Sequence, residues 1–225
     1  MVELVHPGSG YVSEDSRVIG REHDLRFWCD PFRGVDTGFF ADQRDNRKFL
    51  HETVRAGERW LNLFCHTGAF SVVLLSRGAE VVSVDISKRY LGWLEENLEL
   101  NGLEDAPHQS VAADARAYLA GGTQLFDGII VDPPTSAAGP KGFWSIRKDF
   151  SALLVSCFSR LAPGGQMLVC RNDRRREPTL DALIQDAADQ ADWKLRELVD
   201  APPAIDYPRR SGFPEGDSFE GRWVR

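Results

Sequence analysis

The sequence predicts a doubly wound α/β fold, a mostly parallel sheet with an antiparallel edge strand, helices on both faces and a short N-terminal β-hairpin. Three observations predict it. From Trp60 onward, short apolar runs alternate with helical patterns, the rhythm of parallel strands joined by crossover helices. The run Ile129, Ile130, Val131 is apolar without alternation, as expected of a strand covered on both faces. It stops at Asp132, Pro133, Pro134 and Thr135, which sets a carboxylate at the open edge of the sheet, where α/β proteins hold ligands.

Arg17 to Gly20 and Leu25 to Cys29 read as two strands joined by a charged turn, a hairpin too small to fold alone. Asp42 to Arg55 reads as a helix leading into the core. Core strands are expected at Trp60 to Phe64, Glu80 to Asp85, His108 to Ala112, Gly128 to Asp132, Gln166 to Cys170 and Lys194 to Val199. The clearest helix is Ser87 to Leu100. Ser87 can cap it, Leu91, Leu94 and Leu98 recur on one face, and Asn101-Gly102 supplies the left-handed stop. Further helices are expected from Trp144 to Leu161, before Pro163-Gly164-Gly165, and from Thr179 to Ala191. Ala201 to Gly216 reads as a loop and Ser218 to Val224 as a returning edge strand. The expected division is residues 1–40 for the extension and hairpin and 41–225 for the main domain.

A chain of 225 residues, 42% hydrophobic and 27% charged, suits one large domain with a proper core. No apolar run approaches the ~20 residues that span a bilayer. Met1 to Gly10 lacks the basic-then-apolar pattern of a secretory signal, so a cytoplasmic protein is expected. Cys29, Cys65, Cys157 and Cys170 form no Cys-x-x-Cys pair, so the expectation is reduced thiols and no metal. A net charge of −7 argues against a broad basic surface for nucleic acid. Arg171, Arg174, Arg175 and Arg176, with only Asp173 to offset them, are either a local phosphate-holding cluster or a solvated loop.

Phe64, Cys65, His66, Thr67, Gly68 and Ala69 form a strand-to-helix turn whose glycine lets a ligand approach backbone N–H groups. The G-x-G-x-x-G pattern is absent. Asp85 ends the second core strand, at the place where a carboxylate accepts the hydroxyls of an adenosine ribose. Asp114 follows the third, placed either to contact an adenine edge or to cap the helix Ala115 to Leu119. Pro133 and Pro134 either terminate a strand or hold Asp132 in one orientation.

Three strand ends in order, Asp85, Asp114 and Asp132, resemble the layout of a Rossmann-like class I S-adenosylmethionine-dependent methyltransferase. More specifically, Thr37 to Arg47, Leu61 to Phe70, Asp85 to Gly102 and Asp132 to Thr135 resemble the bacterial 23S ribosomal RNA methyltransferase family, with its cytosine-C5 and guanine-N7 branches. The resemblance extends from about Leu25 to the C-terminus. It implies S-adenosyl-L-methionine as cofactor, with Phe64, His66, Thr67, Gly68 and Ala69 lining its methionine and ribose part, Asp85 holding the ribose, Asp114 near adenine, and Ile86 and Ala115 also in the cofactor site. Gln43 and Arg44 would close over the methionine end, where Arg44 is otherwise an exposed first-turn side chain. Asp132, with Pro133, Pro134 and Thr135, would face the methyl group and the incoming base.

The cytosine branch carries a nucleophilic cysteine seven residues beyond the paired glycines, and counting from Gly165 gives Asn172 here. Carbon-5 of a pyrimidine needs a thiolate, whereas N7 of guanine already carries a lone pair, so the guanine branch fits better. Cys170, on the same strand face as Asn172, is either a substitute nucleophile or an inert buried residue. The expected partner is RNA, ribosomal by the resemblance, with no membrane. Relatives carry additional RNA-binding modules, so either a separate RNA-binding protein supplies affinity or Arg171, Arg174, Arg175, Arg176, Arg44, Arg47, Lys48, Lys141, Arg147 and Lys148 do. Phe39, Phe143 and Trp144 are either base-stacking or core residues. The alternatives are the same fold acting on a small molecule or protein, or a silent cofactor-binding module.

Overall fold

The computed structural model describes residues 17–32, 36–139, 142–207 and 218–225. The hairpin forms as β1 (Val18–Glu22) and β2 (Leu25–Cys29), with Glu22 opposite Leu25. A 3-10 turn at Ala41–Gln43 opens α1 (Arg44–Thr53), which leads into β3 (Arg59–Leu63). The chain then alternates through α2 (Ala69–Ser76), β4 (Glu80–Asp85), α3 (Lys88–Leu100), β5 (His108–Ala112), α4 (Ala115–Ala120) and β6 (Phe126–Val131). A second hairpin, β7 (Ser136–Gly139) and β8 (Gly142–Ser145), precedes α5 (Ile146–Phe158). The order closes with β9 (Leu161–Asn172), α6 (Leu180–Gln190), β10 (Leu198–Asp200) and β11 (Phe219–Val224).

The sheet runs β10-β11-β9-β6-β3-β4-β5. β3 pairs in parallel with both β4 and β6, so the chain winds outward through β4 and β5 and then returns to the other side of β3. That reversal opens a crevice at the carboxyl ends of the strands. At the far end β11 runs antiparallel to β9, and the short β10 lies outside it.

The Ser87 cap is present, its hydroxyl accepting from the Tyr90 N–H at 3.3 Å. Three expectations shift. Trp144 belongs to β8 and the helix starts at Ile146, because the Trp144 indole turns inward and donates to the Pro134 carbonyl at 2.8 Å. The fifth parallel strand begins at Leu161 and passes through the glycine pair, with a register shift against β6 between Phe126 and Gly128. Where a strand was expected from Lys194, pairing is confined to Leu198–Asp200; the Arg196 and Glu197 N–H groups both bond to the Arg225 carbonyl.

Each sheet face buries its own core. α4, α5 and α6 cover one around Leu61, Ile129 and Met167, while α1, α2, α3 and the first hairpin cover the other around Trp60, Ile130 and Leu168. Successive β6 residues serve opposite layers, which explains the unbroken apolar run. Gly128 is glycine because a Cβ there would stand 2.4 Å from the Trp60 ring.

The first hairpin is tied to the main domain through Arg47, a fully buried side chain of α1. Its guanidinium grips buried Glu22 of β1 through Nε to Oε1 and Nη2 to Oε2, both at 2.6 Å. Nη1 donates to the Phe40 carbonyl at 2.9 Å, and the Phe39 ring lies 4.4 Å from the guanidinium carbon. Arg47→Met strands Glu22 as a buried unpaired charge and is expected to cost about 3–5 kcal/mol in urea unfolding. The double variant Arg47→Met/Glu22→Leu should recover most of that loss. A single variant as stable as the parent would show that Glu22 is reached by water.

Candidate active site

The carboxyl ends of β3, β4 and β6 surround a cavity of about 520 Å³. Its walls carry five carboxyl groups, Asp36, Asp42, Asp85, Asp114 and Asp132, together with Phe40, Phe64, His66, Ile86, Tyr90, Trp144 and Asn172. This is the crevice that the strand reversal at β3 opens.

The turn after β3 is backbone-strained. Phe64 and His66 have φ of +55° and +52°, and Gly68 has +78°. Gly68 starts α2 so close to α3 that a Cβ would lie 2.3 Å from Leu94. The turn is held by Asp85, which accepts the His66 N–H at 2.9 Å and the Ser87 N–H at 2.8 Å. One carboxylate thus locks two loops and still lines the cavity. Asp36 fastens the same wall from outside the sheet. Its Oδ2 meets His66 Nε2 at 2.6 Å and accepts the Tyr90 hydroxyl at 2.8 Å, while Oδ1 accepts the Gly38 N–H at 2.9 Å. These bonds hold its carboxyl well below the usual range, the His66 contact being the largest cause.

Asp114 caps α4, as one of its two expected roles required, and it also lines the cavity. It accepts the Arg116 and Ala117 N–H groups at 2.9 and 3.4 Å, and its outer oxygen pairs with the Arg116 guanidinium at 2.7 Å. Arg116 chiefly lowers its pKa.

Asp132 sits at the cavity floor, half-buried, on a turn fixed from two sides. The Thr135 hydroxyl donates to the Asn172 carbonyl at 2.7 Å, and the Ile146 N–H donates to the Thr135 carbonyl at 3.1 Å. Gln43 Nε2 donates to Asp132 Oδ2 at 2.8 Å, and the Asn46 amide donates to Gln43 Oε1 at 2.8 Å, which fixes which end of the Gln43 amide faces the carboxyl. Withdrawal from water, then the neighbouring Asp42, push the Asp132 carboxyl up to about 7 against Gln43 and Arg47. The Cys170 thiol lies 3.2 Å from the same Gln43 nitrogen, and burial pushes it well above its ordinary range. It is a thiol, not a thiolate.

Of the residues singled out in the sequence, Phe64, His66, Asp85, Ile86, Asp114, Ala115, Asp132, Pro133, Pro134, Thr135 and Asn172 line this cavity together. Gln43, Thr67 and Ala69 stand one layer below, around a void of about 60 Å³ that Asp132 also borders. Arg44 does not reach the cavity; it pairs with Asp206 at 2.7 Å and Asp45 at 3.4 Å, because the first turn of α1 faces the 204–207 segment. Arg171 is buried and paired with Glu220, so it is a strand-pairing residue rather than a substrate contact. Phe39 packs 4.9 Å from Phe27 under Arg47, which makes it core. Its exposed neighbour Phe40 lines the cavity instead. Arg174 is exposed, as are Arg175 and Arg176. Arg147 pairs with Asp173 at 3.0 Å, and Lys141 lies outside the described residues. Phe143 is exposed and Trp144 buried against Phe64. Asp36, Phe40, Asp42 and Tyr90 were missed. Phe40, Asp42 and Tyr90 lie inside the segments that carry the resemblance, which could have flagged them, and Asp36 stands one residue before the first of those segments.

Among the described residues, no three His, Cys, Asp or Glu side chains converge to hold a metal. No helix among them is long and apolar enough to cross a membrane. The donor set does suit a nucleoside. Asp85 is held on the cavity wall by two backbone N–H groups, Ile86 beside it is 41% exposed, and the acidic lining favours a cation.

Comparison with known proteins agrees with that fit. Residues 10–211 match the model of the S-adenosylmethionine-dependent methyltransferase family. The chain is similar to ribosomal RNA large subunit methyltransferase K/L of Hahella chejuensis, 39% identical over 157 residues, covering 68% of this chain and 22% of that protein. It is 36% identical over 216 residues to ribosomal RNA large subunit methyltransferase I of Aeromonas hydrophila, covering 92% of this chain and 53% of the relative. The chain therefore spans about half, or less, of the curated relatives it matches. In structure it superposes on a SAM-dependent methyltransferase from Agrobacterium tumefaciens with a TM-score of 0.77 at 22% identity, covering 94% of this chain and 70% of the other.

The raised Asp132 carboxyl has a consequence for stability. The folded chain keeps that proton to about pH 7, whereas an unfolded aspartate releases it near 4, so stability falls as pH rises between those values. Asp132→Asn removes the titration. Its melting temperature relative to the parent should rise between about pH 4 and 7 and stay level above that. A difference that does not change with pH would show that Asp132 ionises as an ordinary carboxylate.

Proposed function

Because this chain belongs to the S-adenosylmethionine-dependent methyltransferase family, we propose that it moves a methyl group from S-adenosyl-L-methionine to a nucleobase of RNA in the cytoplasm. The base we favour is a guanine of 23S ribosomal RNA, methylated on a ring nitrogen. The observation that carries the base chemistry is the Asp132 carboxyl, protonated to about pH 7 at the cavity floor beside a thiol that burial keeps uncharged.

When bound, S-adenosyl-L-methionine supplies a methyl carbon on a positively charged sulfur, a good leaving group. In this reading Asp85 holds the ribose hydroxyls, Ile86 covers one face of adenine and Asp114 meets its edge, a reading supported by all three lining the cavity. A protonated Asp132 can donate to O6 of guanine and leave the adjacent N7 lone pair free to attack. Acceleration then comes from alignment in a pocket walled by Phe64 and Trp144. Methylation at carbon-5 of cytosine needs a thiolate that Cys170 does not provide.

RNA contact falls to Arg174, Arg175 and Arg176, which are exposed beside Asn172, and to the exposed Phe143 on the β7-β8 hairpin. Arg47, Arg147 and Arg171 are engaged by carboxylates, which supports a separate RNA-binding protein as a partner.

Labelled cofactor incubated with unmodified 23S ribosomal RNA should label the RNA, and mass spectrometry of the digest should place the methyl on guanine. Label on cytosine would sink the ring-nitrogen reading, and label only on protein or small metabolites would sink RNA as the substrate. By calorimetry, Asp85→Ala should abolish cofactor binding, while Asp132→Ala should preserve it and slow turnover by about a hundredfold. Unchanged affinity in Asp85→Ala would remove the ribose assignment.

A further inference from the structure

We infer that Arg44 is a positioning residue, one jaw of a clamp that holds the 204–207 segment against the turn before α1 and thereby keeps the Gln43 amide on Asp132. Its effect on turnover rests on the methyltransferase reading; its effect on Asp132 does not. Three contacts make the clamp. The Ala204 N–H donates to the Asp42 carbonyl at 2.7 Å, and the Ile205 N–H donates to Asp45 Oδ2 at 3.0 Å. The Arg44 guanidinium forks onto the Asp206 carboxylate, Nη1 to Oδ2 and Nη2 to Oδ1, both at 2.7 Å. They land on residues 42, 44 and 45, on both sides of Gln43.

The segment is itself anchored to the sheet. Ala201 and Ala204 are buried, and the Ala201 N–H donates to the Gly221 carbonyl of β11 at 3.0 Å. Gly221 is glycine because a Cβ there would stand 2.4 Å from the Ala201 carbonyl oxygen. The Tyr207 N–H closes the segment onto the Ala204 carbonyl at 2.8 Å. A continuous path therefore runs from β11 through the clamp to Gln43.

The turn needs such a support. Neither Phe40 at the start of the 3-10 turn nor Gln43 at the start of α1 caps its helix with a side-chain bond. The Asp42 carboxyl takes the Gln43 N–H, which curls the turn but leaves its place against β6 to longer-range contacts. Asn46 orients the Gln43 amide from the same helix, so it cannot fix where that helix end lies. An ion pair whose carboxylate is 65% exposed adds little to folding, so the clamp shows at Asp132 rather than in the melting temperature.

Carboxyl carbon-13 NMR of the aspartate-labelled chain reads it, the Asp132 signal being the one lost in Asp132→Asn. The groups that face Asp132 are Asp42 and Gln43 on the turn, Arg47 on α1 and Cys170 on β9. Gln43 draws the Asp132 pKa down, so Gln43→Leu should raise the midpoint from about 7 by about 1 pH unit. Arg44→Ala and Asp206→Ala should each raise it by about 0.5 pH unit, the exposed Asp206 site guarding against misfolding. The shared direction is decisive, because by charge alone losing a cation raises a carboxyl pKa and losing an anion lowers it. Added to Gln43→Leu, neither substitution should move the midpoint further. Opposite shifts, an unmoved midpoint or additive shifts overturn the inference. In methyl transfer to RNA, both variants should lower kcat by about tenfold with KM for S-adenosyl-L-methionine at the parent value. A midpoint that moves while kcat holds overturns the role in the reaction. A parent chain that transfers no methyl group overturns the methyltransferase reading, and the titration still decides the clamp.

Discussion

The contact on which the site depends is the bond from the Gln43 amide to Asp132, made between a turn that precedes the sheet and a strand end in its middle. Asn46 sets the amide's direction from within α1, and Arg47 on the same helix carries the first hairpin. One short helix therefore couples the N-terminal hairpin to the rim of the cavity. A rigid strand end alone would not do this, because a carboxyl on a proline turn still has a free rotamer. Gln43 removes that freedom, while burial and Asp42 raise the carboxyl's pKa against it.

The cavity concentrates acid, and each carboxyl is treated differently by its surroundings. Asp36 is pushed down by His66, Asp114 by Arg116, and Asp132 is pushed up by dehydration and Asp42. Groups of one chemical type thereby acquire separate tasks, as fastening, capping and proton-holding residues. The strained backbone at Phe64 and His66 belongs to the same design, since its left-handed turn presents an N–H to Asp85 and a ring to Asp36.

The arginines illustrate where one-dimensional reading stops. Arg44, Arg47, Arg147 and Arg171 look alike in sequence as cations near the site segments. The fold spends one on Asp206, one on Glu22, one on Asp173 and one on Glu220, partners between 25 and 162 residues away. No local pattern records such pairing. Trp144 was misjudged for a related reason, because its helix-like neighbours are overruled by a bond to Pro134 and a seat beside Phe64.

By itself the sequence determined the order of the core strands and the helices between them, though not the β7-β8 hairpin, together with the Ser87 cap, the glycine turn after β3 and the strand ends Asp85, Asp114 and Asp132. These follow from periodicity and backbone chemistry, which act over a few residues. Only the tertiary structure decided that Asp36, Phe40, Asp42 and Tyr90 join the cavity, that Arg44 and Arg171 leave it, and that burial and Asp42 push the Asp132 carboxyl up to about 7. Solvent exclusion and ion pairing depend on what lies nearby in space, and chain closure at the β3 reversal is what brings those neighbours together.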